Sequence, residues 1–423
     1  MLIEYSVTNF RSIRNKVTLS LQATADGSHP ENLICEDETG NGRLLRVASI
    51  YGANASGKSN IFHSLNALIS MVRTSHENQP GAEIKTEPYA FDEASLSQPT
   101  EFEIIFIAGG IRYVYGLALN RKEVVREHLY QYPKGKRAVL FARDSEAVKE
   151  YTFTQDRARQ TQLASMTPRN VLYLSRSANL NYERTRAAYE WFRNGLRQID
   201  PSVSTLGYTC DRAMDDPGMK EKLLRALRSA DLGINDLKIE RREFSMDDLP
   251  ADMPEELKNG LRAMVNDPKG PLLSLKITSF HQSRSDPSVP MPLDFDRESD
   301  GTKRYLALLG PWLDTLENGR ALFVDELDVK LHPFLVRLLI KAFSDAEMNR
   351  HGAQLIFTTH NTSLLDMEEL FRRDQIWVVA RDGEENTSLL SLSEYQVRKN
   401  SDIEKAYVLG RFGGVPFVGG SIL

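Results

Sequence analysis

The segment Gly52-Ala53-Asn54-Ala55-Ser56-Gly57-Lys58-Ser59 constrains this chain more than any other, because of what flanks it. Residues 44–50 form a compact apolar run suited to a buried strand, and residues 58–72 set Ile61, Phe62, Leu65, Leu68 and Ile69 on one helical face. A Gly-rich turn between a buried strand and an amphipathic helix aims backbone N–H groups and the helix N-terminus at one point, which attracts phosphate. In this pattern Lys58 neutralises the β and γ oxygens of a nucleotide, and the Ser59 hydroxyl binds magnesium. The predicted nucleotide-binding group is therefore Gly52, Ala53, Asn54, Ala55, Ser56, Gly57, Lys58, Ser59 and Asn60, with ATP and Mg2+ as expected cofactors. The same strand–turn–helix unit predicts an α/β fold with a parallel sheet.

The rest of the chain is organised around that unit. Residues 2–7 and 17–21 alternate apolar and polar about an Asn9-Phe10-Arg11-Ser12 turn, which predicts an opening hairpin. From 101 to 141, alternating runs separated by Gly109-Gly110, Asn120-Arg121-Lys122 and Pro133-Lys134-Gly135 predict an antiparallel meander. The spacing turns helical at 182–199, 219–230 and 254–265, so 151–290 is expected to be a mostly helical insertion. Strand and helix then alternate again: helix 302–316, strand 321–324, helix 333–345 and strands 354–358 and 375–380. Three regions are expected: an N-terminal lobe over 1–150 holding the phosphate loop and an antiparallel β subdomain, the insertion over 151–290, and a C-terminal lobe over 291–423. With 423 residues the chain exceeds the roughly 250–300 at which single cores stop growing.

Composition excludes more than it proposes. Lys plus Arg number 53 against 58 Asp plus Glu, a net charge of −5, so any surface for a polyanion must be local. Basic residues cluster at Arg121, Lys122 and Arg126 and at Lys134, Lys136, Arg137 and Arg143, interleaved with Tyr130, Tyr132 and Phe141. That pattern is a candidate nucleic-acid surface, and it is also what strands with a charged outer face look like. Cys35 and Cys210 fit neither a metal spacing nor a disulfide framework and read as buried thiols. The N-terminus lacks a basic-then-apolar leader, and no apolar run approaches the roughly 20 residues of a membrane span. A cytoplasmic protein with no membrane partner is expected.

Three further motifs carry chemistry. Leu322-Phe323-Val324-Asp325-Glu326 is an apolar strand ending in two carboxylates, with Asp325 suited to hold magnesium and Glu326 to take a proton from water. Upstream, Glu298-Ser299-Asp300-Gly301 opens a helix whose turn can offer hydroxyl and N–H groups to an anion, or serve simply as a helix cap. Gln354-Leu355-Ile356-Phe357-Thr358-Thr359-His360 is a strand ending in a histidine, which can hydrogen-bond a γ-phosphate or an attacking water. Lys58 and Asp325 are 267 positions apart, so a large insertion separates the two halves of one site.

Phosphate loop, Ser-x-Gly turn into a helix, acidic strand and His-tipped strand form the sequence order of the ATP-binding cassette head. The chain resembles the ABC-type ATPases of the RecF, SMC and OLD group, and is most similar to RloA-like ATPases of bacterial antiphage systems. The likeness spans Asn9-Phe10-Arg11-Ser12, Pro99-Thr100-Glu101-Phe102, Asp325 to Asp328 with Leu331-His332-Pro333, Thr359-His360-Asn361, and the tail from Val397-Arg398-Lys399 to Gly410-Arg411. It implies two heads sandwiching two ATPs, Lys58 of one facing Ser299, Asp300 and Gly301 of the other. It also implies that Asp328 communicates across the dimer, that Glu326 and His360 are catalytic, and that Ser59 and Asp325 hold the metal. The signature reads Glu298-Ser299-Asp300-Gly301 where the family has Leu-Ser-Gly-Gly, and Gln98 is the candidate for the family's magnesium-binding glutamine.

Two functions follow as expectations. One is an ATP-hydrolysing sensor or scaffold that controls a separate effector, a nuclease or Toprim-like protein, in antiphage defence. The other is a RecF-like repair ATPase that binds duplex DNA.

Overall fold

The computed structural model describes residues 1–34, 42–244, 253–256, 258, 273–283, 285–286, 288–396 and 402–415. Cys35, most of the helix expected over 254–265, Val397-Arg398-Lys399 and the end of the tail after Val415 lie outside the described residues.

In chain order the strands of the first half are β1 (Leu2–Thr8), β2 (Val17–Ser20), β3 (Leu33–Ile34), β4 (Leu44–Leu45), β5 (Val47–Gly52), β6 (Thr100–Ala108), β7 (Ile111–Leu119), β8 (Val124–Tyr132), β9 (Ala138–Asp144) and β10 (Tyr151–Thr152). Those that follow are β11 (Leu196–Ile199), β12 (Ile234–Glu243), β13 (Leu273–Gln282), β14 (Pro290–Asp294), β15 (Ala321–Val324), β16 (Gln354–Thr358), β17 (Ile376–Arg381) and β18 (Thr387–Ser391). Helix α1 is Lys58–Thr74. The fold is mixed α/β, with an antiparallel seven-stranded sheet in the order β10-β9-β8-β7-β6-β1-β2 and a six-stranded sheet in the order β11-β15-β16-β5-β17-β18.

The described chain divides into two compact units, one of 1–202, 315–329 and 336–423, the other of 203–314 and 330–335. Both large sheets belong to the first. Its core is continuous from the antiparallel sheet (Tyr5, Phe106, Tyr115) through α1 (Phe62, Leu65, Leu68) to the six-stranded sheet (Ala48, Phe323, Ile356). The five α1 residues predicted to share a face are all buried, and Phe62 meets Phe323 edge-on at 5.3 Å. Trp191 stacks on Phe106 at 4.0 Å, which ties the chain leading into β11 to the antiparallel sheet.

The second unit contains helices Leu206–Asp215 and Pro217–Ser229 and the antiparallel sheet β12-β13-β14. The stretch 151–290, expected to be mostly helical, thus carries helices to Ser229 and also the strands β10 to β13 and the first residue of β14. The helix expected over 182–199 ends earlier: Glu183–Glu190 is α-helical, a single π-type turn follows at Trp191–Gly195, and Leu196–Ile199 is β11, parallel to β15. No helix of the described residues is long and apolar enough to cross a membrane. Cys210 is buried as expected, and burial pushes its thiol up to about 12.

One buried charge anchors the antiparallel sheet to the helices behind it. Glu127 on β8 is fully buried and accepts from Tyr173 N (2.6 Å), Leu174 N (3.0 Å) and the Tyr115 hydroxyl (3.0 Å). The two amides are orphan donors at the start of helix Tyr173–Asn179, so the carboxylate replaces the cap that Leu172 cannot supply. Burial raises the Glu127 pKa against those bonds. Glu127→Ala strands three buried donors and should lower the unfolding free energy by about 3 kcal/mol, read as a shift in urea midpoint at unchanged m-value. An unshifted midpoint would show that the carboxylate is dispensable.

Candidate functional site

The six-stranded sheet sets the order of the site. β15, β16, β5 and β17 are neighbours and all parallel, with Val324 opposite Phe357, Thr358 opposite Ile50 and Val379 opposite Gly52. Their carboxyl ends therefore fall along one edge, where α/β sheets hold ligands. The phosphate loop leaves β5, Asp325 and Glu326 leave β15, and Thr359 and His360 leave β16. Residues 267 positions apart in sequence become next neighbours but one in the sheet.

The phosphate loop is built around a buried lysine. Lys58 is 6% exposed, and its Nζ donates to the carbonyls of Gly52 (2.8 Å) and Ala53 (2.9 Å). Ala55 (φ 61°) and Gly57 (φ 105°) take left-handed backbone. Gly57 has no tolerance for a side chain, because a Cβ there would stand 2.2 Å from Thr387 Oγ1 and 2.9 Å from Ser12 Oγ. Those two hydroxyls bond each other at 2.8 Å; Thr387 Oγ1 donates to Ser56 O (3.0 Å), and Asn60 Nδ2 donates to Ser12 Oγ (2.7 Å). The Asn9-Phe10-Arg11-Ser12 turn thus buttresses the loop from behind. Arg11 fixes the turn itself through Glu87, at 2.6 and 3.2 Å.

The acidic strand end is held by a residue that sequence reasoning passed over. Thr358 Oγ1 donates to Asp325 Oδ1 (2.5 Å) and accepts from Glu326 N (2.7 Å). One hydroxyl on β16 so fixes both acids of β15. Glu326 has φ 49°, a strained conformation for a residue with a side chain, held further by Leu327 N on Thr358 O (3.1 Å). A threonine at the last position of the strand before His360 was the available signal.

The charges converge on Lys58. Burial pushes its ammonium down to about 8, against the pull of Asp325, Glu326 and Asp328. His360, exposed at the tip of β16, is held below its ordinary value first by lost hydration and then by the Lys58 charge, with the same three acids pulling the other way. Ser56 Oγ and Asp328 Oδ1 are buried and make no hydrogen bond within the described residues. An anion-accepting loop with an unused hydroxyl, the Ser59 hydroxyl beside it and a carboxylate at Asp325 fit a magnesium nucleotide.

In the second unit the predicted signature turn is a helix start. Ser299 Oγ accepts from Thr302 N (3.1 Å) and pairs with Thr302 Oγ1 (2.9 Å), so the serine caps helix Asp300–Asn318. Gly301 is required by the approach of Lys330, whose carbonyl would lie 2.9 Å from a Cβ there. Lys330 Nζ pairs with Asp300 (2.9 Å) and holds its carboxyl below the usual range, while Glu298 is fixed by Ser279 (2.6 Å) and His281 (2.7 Å). Gln98 is exposed, and its carbonyl accepts from Asn9 Nδ2 (3.0 Å). Of the basic cluster, Arg143 and Phe141 are core residues: Arg143 is 2% exposed, pairs with Glu150 (2.8 Å) and donates to Val171 O. Arg137 stacks on Tyr130 at 3.8 Å and Arg126 pairs with Glu101, so these cations are also engaged within the sheet.

The family profile described as "AAA domain, putative AbiEii toxin, Type IV TA system" matches residues 47–366, more than half of the chain, from β5 to the residues after β16. The chain belongs to this family of AAA domains. No curated protein matches it. Among solved structures it is similar to an SMC head bound to the C-terminal winged-helix domain of ScpA, at 14% identity over 92% of this chain and 97% of that one, with a TM-score of 0.39. It is also similar to the recombination mediator RecF with ATP, at 16% identity over 87% and 95%, with a TM-score of 0.32. At those scores no property of either protein passes to this chain.

Two outcomes test this geometry. Thr358→Val keeps the shape of the side chain and removes the hydroxyl that holds both acids, so ATP turnover should fall about 10–100-fold with little change in nucleotide affinity. Unchanged turnover would detach Thr358 from the site. Lys58 titrates at about 8 when folded against 10.5 ordinarily, so between those values the unfolded chain binds more protons and stability rises with pH. From about pH 7 to about pH 10, denaturant unfolding should shift in favour of the wild type over Lys58→Met by roughly 2 kcal/mol. A difference that stays flat would place Lys58 in water.

Proposed function

We propose that this chain is a cytoplasmic ATP-hydrolysing switch in antiphage defence, whose nucleotide state controls a separate effector protein of nuclease or Toprim-like type. The observation that carries the hydrolytic part is the pair of bonds from Thr358 to Asp325 and to the Glu326 amide, beside the buried Lys58. Residues Gly52 to Asn60 cradle the phosphates of ATP, and Lys58 neutralises their charge. Ser59 and Asp325 would hold magnesium, which when bound supplies electrostatic stabilisation of the transferring phosphoryl group. Glu326 orients and deprotonates the attacking water, and His360 donates toward the γ-phosphate.

On this reading two copies sandwich two nucleotides, with Ser299, Asp300 and Gly301 of one copy completing the loop of the other and Asp328 relaying occupancy across the dimer. An ATPase that acts through no second chemistry must act by binding a partner differently in its two nucleotide states. The defence setting is supported by the family description, which names an AbiEii toxin of a type IV toxin–antitoxin system. The RecF-like alternative would instead use the outer face of the antiparallel sheet, where Arg112 and Arg137 stack on Tyr132 and Tyr130.

Glu326→Gln separates the steps, since the amide keeps the shape and cannot take the proton. The variant should bind ATP as tightly as wild type, hydrolyse it at least a hundredfold more slowly (about 2.7 kcal/mol), and form ATP-dependent dimers that persist. Phage plating on the native host carrying either allele reads the biological part, and protection should be lost together with turnover. Full protection by Glu326→Gln would remove hydrolysis from the mechanism. A phenotype confined to DNA-damage sensitivity would favour the repair function.

A further inference from the structure

Glu298, the residue before Ser299, is a nearly buried carboxylate: its side chain is 9% exposed, and no lysine or arginine pairs with it among the described residues. Its Oε1 instead takes two bonds, from Ser279 Oγ at 2.6 Å and from His281 Nε2 at 2.7 Å. An ionised carboxylate only accepts, so the imidazole carries its proton on Nε2. Both donors come from β13, the central strand of β12-β13-β14. They stand two residues apart and therefore share one face of the sheet, which is why two side chains of one strand reach a single oxygen. Ser279 is fully buried, opposite Leu237 on β12 and Leu293 on β14.

These bonds hold the turn that follows. Glu298 N donates to Phe295 O (3.0 Å), with Phe295 buried, and Ser299 O accepts from Lys303 N (3.0 Å). Lys303 Nζ reaches back to Asp296 O at 2.6 Å. The backbone on either side of Ser299 is thus tied down, while Ser299 and Asp300 themselves are exposed. Withdrawing a carboxylate from water costs free energy that a leucine, the residue the ABC-type signature has at this position, would not cost. Hydrogen bonds, unlike apolar contact, fix direction, and direction is what a turn that meets a ligand requires.

We infer that His281 and Ser279 are positioning residues of the ATPase reaction, acting through Glu298 to aim the Ser299 hydroxyl and the Gly301 amide at the nucleotide of a second copy. The inference rests on the composite site proposed above. Neither residue touches the nucleotide; each fixes the carboxylate that fixes the turn. The glutamate is then a working part of this chain's signature, and replacing it by the signature's own leucine lowers turnover.

Mixed dimers of the full chain with a single live site test it. A Ser299→Arg chain keeps its phosphate loop and loses its turn, and a Lys58→Ala chain keeps its turn and loses its loop. Only the first chain's loop with the second chain's turn can then hydrolyse ATP. His281→Leu on the second chain should lower the turnover of the mixture about tenfold, because a small displacement of the turn spoils its alignment. On the first chain the same substitution should change nothing. Glu298→Leu on the second chain should match His281→Leu, whereas His281→Gln, whose amide Nε2 can donate to the same oxygen, should restore the rate. Ser279→Ala, which deletes a single oxygen, repeats the test without altering the packing of β13. Equal losses whichever chain carries the substitution would mark a role in folding alone and overturn the inference, as would no loss on either. Failure of the composite site shows separately: the mixture without any change at His281, Glu298 or Ser279 would stay at background although sedimentation finds heterodimers, and the inference would fall with it.

Discussion

Everything at the site depends on a lysine that is charged and nearly out of water. An ammonium in that position is expensive, and burial accordingly pushes Lys58 down to about 8. What keeps it in place is local: two loop carbonyls at 2.8 and 2.9 Å and three carboxylates within electrostatic reach. Those carboxylates come from a strand 267 positions away, so the charge balance exists only once β15, β16 and β5 are in parallel register. Folding and site assembly are in this sense one event.

The second constraint is the buttress behind the loop. Gly57 can take φ 105° against Thr387 and Ser12 only because it has no side chain, and the two hydroxyls bond each other across 375 positions. Thr387 N also donates to Ser12 O at 2.8 Å, so the N-terminal turn and β18 are joined by backbone as well. The Asn9-Phe10-Arg11-Ser12 turn is therefore part of the phosphate loop in every sense except sequence. Arg11 serves this turn, through Glu87 and through Asn60 Oδ1 at 3.5 Å.

Legibility in the sequence followed the strength of the apolar pattern. Strands β15 and β16 fall at the predicted 321–324 and 354–358 because they are fully buried apolar runs with polar ends, and α1 was legible from its stripe of five residues. Strand β11 was not, because Leu196-Arg197-Gln198-Ile199 continues the apolar spacing of the helix before it, and only pairing with β15 decides its conformation. The long strand β12 was missed because most of its residues face solvent and its sequence, Ile234 to Glu243, is largely charged. Thr358 and Glu127 share another reason. Each acts through hydrogen bonds to residues far away in sequence, and no local period records such a bond.

The signature turn shows how a departure from the family pattern can be absorbed. If the turn meets a phosphate in trans as proposed, a carboxylate at Asp300, where the ABC-type signature has glycine, would repel it. Lys330 pairs with Asp300 at 2.9 Å, in the same unit, and so cancels the charge locally. This pair is exposed on both sides, so its contribution to stability is small and sensitive to salt. On the proposed function, its value lies in the field it would present to the nucleotide of a second copy. Gly301 then has a structural duty of its own, because the Lys330 carbonyl comes within 2.9 Å of where a Cβ would stand. Lys330 follows Asp328 by two residues, so the loop that carries the proposed relay acid also supplies both the side chain that neutralises Asp300 and the carbonyl that requires Gly301. Lys330 therefore serves the Glu298-Ser299-Asp300-Gly301 turn twice, through its side chain and through its carbonyl.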